Sequence, residues 1–382
     1  MSTASLPSLM ERWEALGRPF LHLPRRWAAL VLALIAALAL GAAAVVVPGA
    51  PAPLAASSAR PPASAAAPAP SAPGRARGDM ALYARIHARM AAGEGYYTAA
   101  LAEHRASGYP TRPFVTIRLP TLAWAQGLLG VDGVRWLALA LVAASITALL
   151  RHGALAASPA ERIIAAALLA AGGGAALVRV AGYDHDFIAG VLLSLALLAW
   201  RRDRWWPALV AAAAALAVRE LAAPFVALWL AFALLQRRRG EALGLAALLA
   251  VFAIGTGLHA AAVSAGQLPG DLASQGWDAR AGYAVPLAGL TQLTGLRHLP
   301  PMLAAALAVL PLVGWAGLGG RTGLFAAAWF AGLATMMALF ARPANSYWAE
   351  LALPAYAIGL AFAPRALADL LARLAARSSM QS

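Results

Sequence analysis

The chain has 382 residues, of which 62% are hydrophobic and 12% charged, with a mean hydropathy of +0.69. Soluble globular proteins carry roughly 25% charge, so this composition excludes a water-soluble domain. The absence of cysteine excludes a disulfide scaffold, thiolate metal centres and a cysteine nucleophile. All thirty basic residues are arginine, giving a net charge of +14. In a polytopic membrane protein such charge orients the spans, and it does not imply a nucleic-acid partner.

In chain order, residues 1–26 form a polar N-terminal segment. Residues 27–47, Trp27–Val47, are long enough to cross the roughly 30 Å hydrocarbon core. Arg25 and Arg26 precede this stretch, and its full length favours an uncleaved signal-anchor over a cleavable signal peptide. Residues 48–74 are a Pro/Ala/Ser tract, read as an extended linker because repeated proline denies a helix its donors. Residues 75–133 carry two short helices: one opens at Asp79 and ends at Gly93-Glu94-Gly95, and one runs from about Tyr96 to Ala106. Both are expected to lie at the outer leaflet. Residues 134–363 form a transmembrane bundle, with apolar stretches at about Val134–Leu150, Ile163–Val180, Phe187–Trp200, Trp205–Val218, Leu221–Leu235, Ala242–Val263, Met302–Gly319, Gly323–Ala341 and Tyr347–Ala363. Residues 364–382 read as an amphipathic tail that opens at Pro364. The expected fold is an all-α polytopic bundle of about ten spans.

The arginines set the orientation. Sixteen fall at one set of span ends and five in the short loops of the other set. The positive-inside rule then places both termini in the cytoplasm. Most acids fall on the opposite, outer side, including Asp79, Asp184, Asp186, Glu220 and Glu350. Chemistry that needs a carboxylate is therefore expected on the outer face.

Four constellations stand out there. Asp79 is either a helix N-cap or a general base. Tyr183-Asp184-His185-Asp186 is either a solvated turn or a site for a divalent cation such as Mg or Mn, with Asp184 and Asp186 as ligands. Arg219 beside Glu220 pairs either with an acid or with a lipid-linked phosphate. Tyr347-Trp348 is either a membrane-boundary anchor or a surface for stacking on a sugar. Arg118, Arg342, Arg112, Arg297 and His298 are further outer cationic groups, and His259 reads as a packing residue.

This layout resembles the type-C glycosyltransferases, polytopic enzymes that use polyprenyl-phosphate-linked sugars. Their pattern has an acid in the first outer loop and a second acidic motif in the next, where this chain has Asp79 and Asp184-His185-Asp186. Gly95-Tyr96-Tyr97 and Arg118-Leu119-Pro120 are similar to the first-loop pattern of short bacterial members. The resemblance covers about a third of the chain. It implies a bacterial inner-membrane enzyme with Asp79 as catalytic base and Arg219, Glu220, Arg118, His185 and Arg342 around substrate and phosphate. A single first-loop acid and the lack of a large soluble C-terminal segment depart from the family and leave acceptor and metal requirement open. A secondary transporter, a polysaccharide polymerase or ligase, and a non-catalytic assembly protein are the rival readings. A transporter would place ionisable residues in mid-span and show inverted repeats.

Overall fold

Alanine and leucine runs favour helix, and a backbone in hydrocarbon has to satisfy its hydrogen bonds internally. In the computed structural model, which describes residues 9–45, 78–152 and 155–376, every regular element is accordingly a helix. The Pro/Ala/Ser tract at 48–74 and the residues beyond 376 lie outside the described residues. The principal helices are α1 (Leu9–Ala15), α2 (Arg25–Val45), α3 (Asp79–Ala91), α4 (Tyr96–Ala106), α5 (Thr121–Leu150), α6 (Pro159–Gly173), α7 (His185–Ala199) and α8 (Trp206–Val218). They continue with α9 (Ala223–Leu235), α10 (Arg239–Ala265), α11 (Ala284–Gln292), α12 (Pro301–Leu307), α13 (Leu310–Leu318), α14 (Gly320–Phe340) and α15 (Ala355–Ala375).

Among the described residues, seven helical segments are long and apolar enough to cross a membrane: Arg25–Val45, Phe114–Leu150, Pro159–Leu177, Arg239–Ala265, Pro301–Leu318, Gly320–Phe340 and Ala355–Ala375. The protein is therefore a multi-pass helical bundle. Three shorter apolar helical segments, His185–Ala199, Trp206–Val218 and Glu220–Leu235, lie among them. At 1.5 Å per residue, the 15 residues of α7 reach about 22 Å. It is buried on nearly every side, from His185 to Leu198, and forms the axis of the core.

Local sequence explains the boundaries. Ser158 accepts the Glu161 N–H at 3.3 Å while the Glu161 carboxylate accepts the Ser158 N–H at 2.7 Å, a capping box that starts α6. Gly130 has φ +72°, a left-handed conformation suited to glycine, and it kinks α5 into an entry segment and a long span. The C-terminal span differs from the sequence expectation. Residues Pro343–Leu351 form a 3₁₀ segment, α15 begins just after Pro354, and it runs on through Pro364. Packing outweighs the proline: Arg365 pairs with Glu161 at 2.6 Å, and Arg18 from the N-terminal segment holds the buried Asp369. The axes of α13 and α15 approach so closely that a Cβ at Gly314 would lie 1.8 Å from the Gly359 carbonyl.

One end of α7 is closed by a charged knot. Glu241 is 2% exposed and accepts the indole N–H of Trp200 at 2.8 Å and that of Trp229. Arg238 pairs with it at 2.7 Å, and Arg321 does so at 3.4 Å while stacking 3.5 Å over the Trp200 ring. A cavity lined by Ala196, Trp200, Phe225, Trp229 and Arg321 lies at this end. The candidate site lies at the other.

Candidate functional site

The first turn of α7, the apex between α8 and α9, and the segment before α5 bring four charged groups together. Asp186 is 3% exposed and accepts the Arg219 Nε–H at 2.8 Å. Arg219, whose side chain is 1% exposed, also donates to Glu220. Both acids named from the sequence are therefore its partners, and its guanidinium is committed to them. Arg118 sits above this pair, 3.7 Å from Glu220 and 4.0 Å from Asp186. Those separations exceed hydrogen-bond range. Its hydrogen bonds go instead to two neutral phenols, Tyr83 at 3.0 Å and Tyr347 at 3.3 Å. Arg118 is thus the cation that retains capacity for a further anion.

The two resemblance motifs, at Gly95-Tyr96-Tyr97 and Arg118-Leu119-Pro120, meet around this arginine. The Tyr96 hydroxyl donates to the Arg118 carbonyl at 2.5 Å. The Tyr97 hydroxyl lies 3.2 Å from His259 Nδ1, and His259 Nε2 lies 3.1 Å from the Ile117 carbonyl. A carbonyl only accepts, so Nε2 carries the proton and Nδ1 accepts from Tyr97. His259 is consequently a saturated packing residue that fixes the backbone beside Arg118. Leu82, Ile86, Tyr96, Leu101 and Ile117 form a small core under this segment, so α3 and α4 pack on the bundle.

Asp184 and Asp186 have separate jobs. Asp184 Oδ1 accepts the Phe187 N–H at 3.0 Å and caps α7. Glu350 carries a carboxylate oxygen, Oε2, that is buried with no hydrogen-bond partner among the described residues. Gly190 on α7 lets the backbone of the Glu350 segment pack close: a Cβ there would lie 2.0 Å from the Glu350 carbonyl. Among the described residues no three His, Asp or Glu side chains converge as metal ligands do. With Asp184 capping a helix and Asp186 paired with Arg219, the donor set does not fit a divalent cation as arranged. His185 is buried, with Nδ1 3.1 Å from the Tyr183 carbonyl and its ring edge-on to Tyr83 at 4.7 Å.

Asp79 begins α3 but does not cap it. Gly78 is the N-cap, with φ +106°. The Asp79 carboxylate accepts the Tyr109 hydroxyl at 2.8 Å. Tyr83 follows it by four residues on the same helical face and reaches Arg118, so Asp79 stands one turn from the charged cluster. Arg342 joins from the other side: its N–H meets Asn345 Oδ1 at 3.2 Å, and Asn345 donates to the Tyr347 hydroxyl at 3.3 Å. Trp348 is 5% exposed and belongs to the core, not to a boundary belt. Sequence reading missed Tyr83 and Tyr109, which look like members of an apolar stripe and a turn. A usable signal was the i, i+4 spacing of Asp79 and Tyr83. The chain matches no known family profile, no curated protein and no solved structure.

The turn after α4 is expected to loosen in acid. His104 is 3% exposed, donates from Nδ1 to the Pro110 carbonyl at 2.9 Å, and burial pushes its imidazole down to about 4. A depressed folded value favours the neutral folded form above the unfolded value of about 6.5. Stability is therefore lost as pH falls from about 6.5 to about 4. The Arg105 guanidinium holds Asp271 below the usual carboxylate range, so that neighbouring pair stays ionised throughout. Hydrogen-exchange protection factors across residues 104–112 should decline in this window and stay level in His104→Gln. A flat profile in the unmutated protein would show that His104 is not buried neutral.

Proposed function

We propose that the protein is a glycosyltransferase of the bacterial inner membrane, moving a sugar from a polyprenyl-phosphate donor to an acceptor hydroxyl on the outer face. The carrying observation is Arg118, a nearly buried guanidinium, 12% exposed, whose hydrogen bonds go to neutral phenols beside a satisfied Arg219–Asp186–Glu220 group. A buried cation with spare donors suits a phosphate oxygen. In this reading Asp79 removes the acceptor proton and the acceptor oxygen bonds to the anomeric carbon. The anomeric carbon–oxygen bond breaks with its electron pair on the departing polyprenyl phosphate, whose charge Arg118 stabilises. Arg219 and Glu220 act by holding Arg118 and the phosphate site in place, and Arg342, through Asn345 and Tyr347, backs the same arginine. No step passes through a metal ion.

The reading also takes the seven long and three shorter apolar segments as ten spans, with both termini in the cytoplasm. Reporter fusions at Arg239 and Gly270 should then report opposite sides, and same-side signals would discard the topology. The chemistry is tested by donor turnover in membranes holding equal amounts of protein. Losing a charge-assisted hydrogen bond costs about 1.5–3 kcal/mol, so Arg118→Ala should lower kcat/KM by about 10–100-fold, with Arg118→Lys between it and the unmutated protein. If Arg118→Ala turns over donor normally, or if the unmutated protein turns over no polyprenyl-phosphate sugar, the proposal fails.

A further inference from the structure

Asp79 does not set its own orientation. It follows a glycine N-cap, makes no capping bond, and stands at the start of its helix. Its Oδ1 is taken by the Tyr109 hydroxyl at 2.8 Å. Among the described residues, Oδ2 has no hydrogen-bond partner. A phenol donates a single hydrogen bond, so Tyr109 fixes one oxygen and leaves the other uncommitted.

Tyr109 is itself held from several directions. Its ring stands edge-on to the buried His104 at 5.8 Å, and Gly108 before it turns the chain at φ +70°. After it, the Thr111 N–H donates to the Leu272 carbonyl at 3.0 Å, and Gln267 donates to the Thr111 carbonyl at 2.7 Å. Asp271 takes Arg105 on both oxygens, at 2.7 and 2.9 Å, and adds the Thr111 hydroxyl at 2.9 Å and the Leu268 N–H at 3.0 Å. The turn bearing Tyr109 is thereby locked to the loop that follows α10. Burial and the Asp79 carboxylate both raise the Tyr109 phenol above its ordinary value, so it remains a donor at any physiological pH.

We propose that Tyr109, carried on this clamped turn, is the positioning residue that aims Asp79 at the acceptor hydroxyl. The inference rests on the glycosyl-transfer reading above. In the step it serves, the acceptor proton passes to Asp79 Oδ2 as the acceptor oxygen bonds to the anomeric carbon and the polyprenyl phosphate departs with the bonding pair. Tyr109 keeps its own proton and acts through Asp79 alone.

The test is a double-mutant cycle on donor turnover in membranes, with the unmutated protein, Tyr109→Phe, Asp79→Asn and the double variant. Tyr109→Phe removes one hydroxyl and keeps the ring, so its melting temperature in detergent should match the unmutated protein. Its kcat should fall by about tenfold, the scale of one misdirected hydrogen bond, with the donor KM unchanged. Adding Tyr109→Phe to Asp79→Asn should cost nothing more. Unchanged kcat in Tyr109→Phe, or an equal loss on both backgrounds, overturns the proposal. Should Asp79→Asn fall below detection, the kcat-against-KM split of Tyr109→Phe decides alone, and a rise in KM without a fall in kcat overturns the proposal. Full activity in Asp79→Asn instead removes the base assignment and this proposal with it. Loss in Asp79→Asn together with full activity in Tyr109→Phe removes this proposal and leaves that assignment standing.

Discussion

Asp79→Asn should insert and fold like the unmutated protein while donor turnover falls by about 10²-fold or more. The expectation follows from what the side chain touches. Gly78, not Asp79, caps α3, so no helix cap is lost. An asparagine oxygen still accepts the Tyr109 hydroxyl now bonded at 2.8 Å, so the local fold keeps its contact. The amide cannot take a proton from an acceptor hydroxyl at neutral pH. Fold and chemistry therefore separate cleanly at this position. The measurement is donor turnover in membranes containing matched amounts of both proteins. If the variant is fully active, Asp79 is a structural acceptor for Tyr109 and the base lies elsewhere.

Arg219→Met should destabilise the protein by about 3–5 kcal/mol, the usual cost of leaving one member of a buried ion pair alone. Asp186 is 3% exposed, and its closest cation is Arg219 at 2.8 Å, with Arg118 at 4.0 Å. Arg118 keeps phenol partners and cannot fully replace the lost guanidinium. Combining Arg219→Met with Asp186→Asn removes the stranded charge and should recover much of the loss, because no ion then remains buried without a counterion. Unfolding midpoints in detergent provide the readout. Arg219→Met as stable as the unmutated protein would mean that Asp186 is hydrated rather than buried. The same comparison separates the two arginines: Arg219 is expected to matter for the fold, and Arg118 for the anion.

The sequence carried the membrane class, because 12% charge and long apolar runs leave no soluble alternative. It also carried the approximate helix positions, and it singles out Asp186, Arg219, Glu220 and Arg118 as expected outer groups. What it could not carry was partnership. Nothing in the spacing says that Arg219 spends its Nε and one terminal nitrogen on acids while Arg118 rests on phenols, since Tyr83 and Tyr347 lie 35 and 229 residues from Arg118. The Tyr347-Trp348 pair misled because boundary aromatics and core aromatics share a composition, and its 3₁₀ segment packs against α11 and α7, which lie far away in the chain. The last span was misplaced for a similar reason. Pro364 reads locally as a stop, but Arg365 and Asp369 are tied to Glu161 and Arg18, which lie far away in the chain. Asp79 looked like a cap because an acid before an apolar run is a capping signal, and the backbone angle at Gly78 is not legible from residue types.

The charged knot at the far end of α7 bears on the order of synthesis. Glu241 and Arg238 emerge from the ribosome together, some eighty residues ahead of Arg321, the second partner of Glu241, on α14. Until that helix arrives, Trp200 lacks the cation that stacks on it and Glu241 lacks one of its two counterions. The opposite end finishes later still, since Tyr347 supplies the last contact to Arg118. Contacts of such long sequence separation form late. A chain released before residue 340 therefore holds most of its apolar helices but lacks the Tyr347 contact to Arg118.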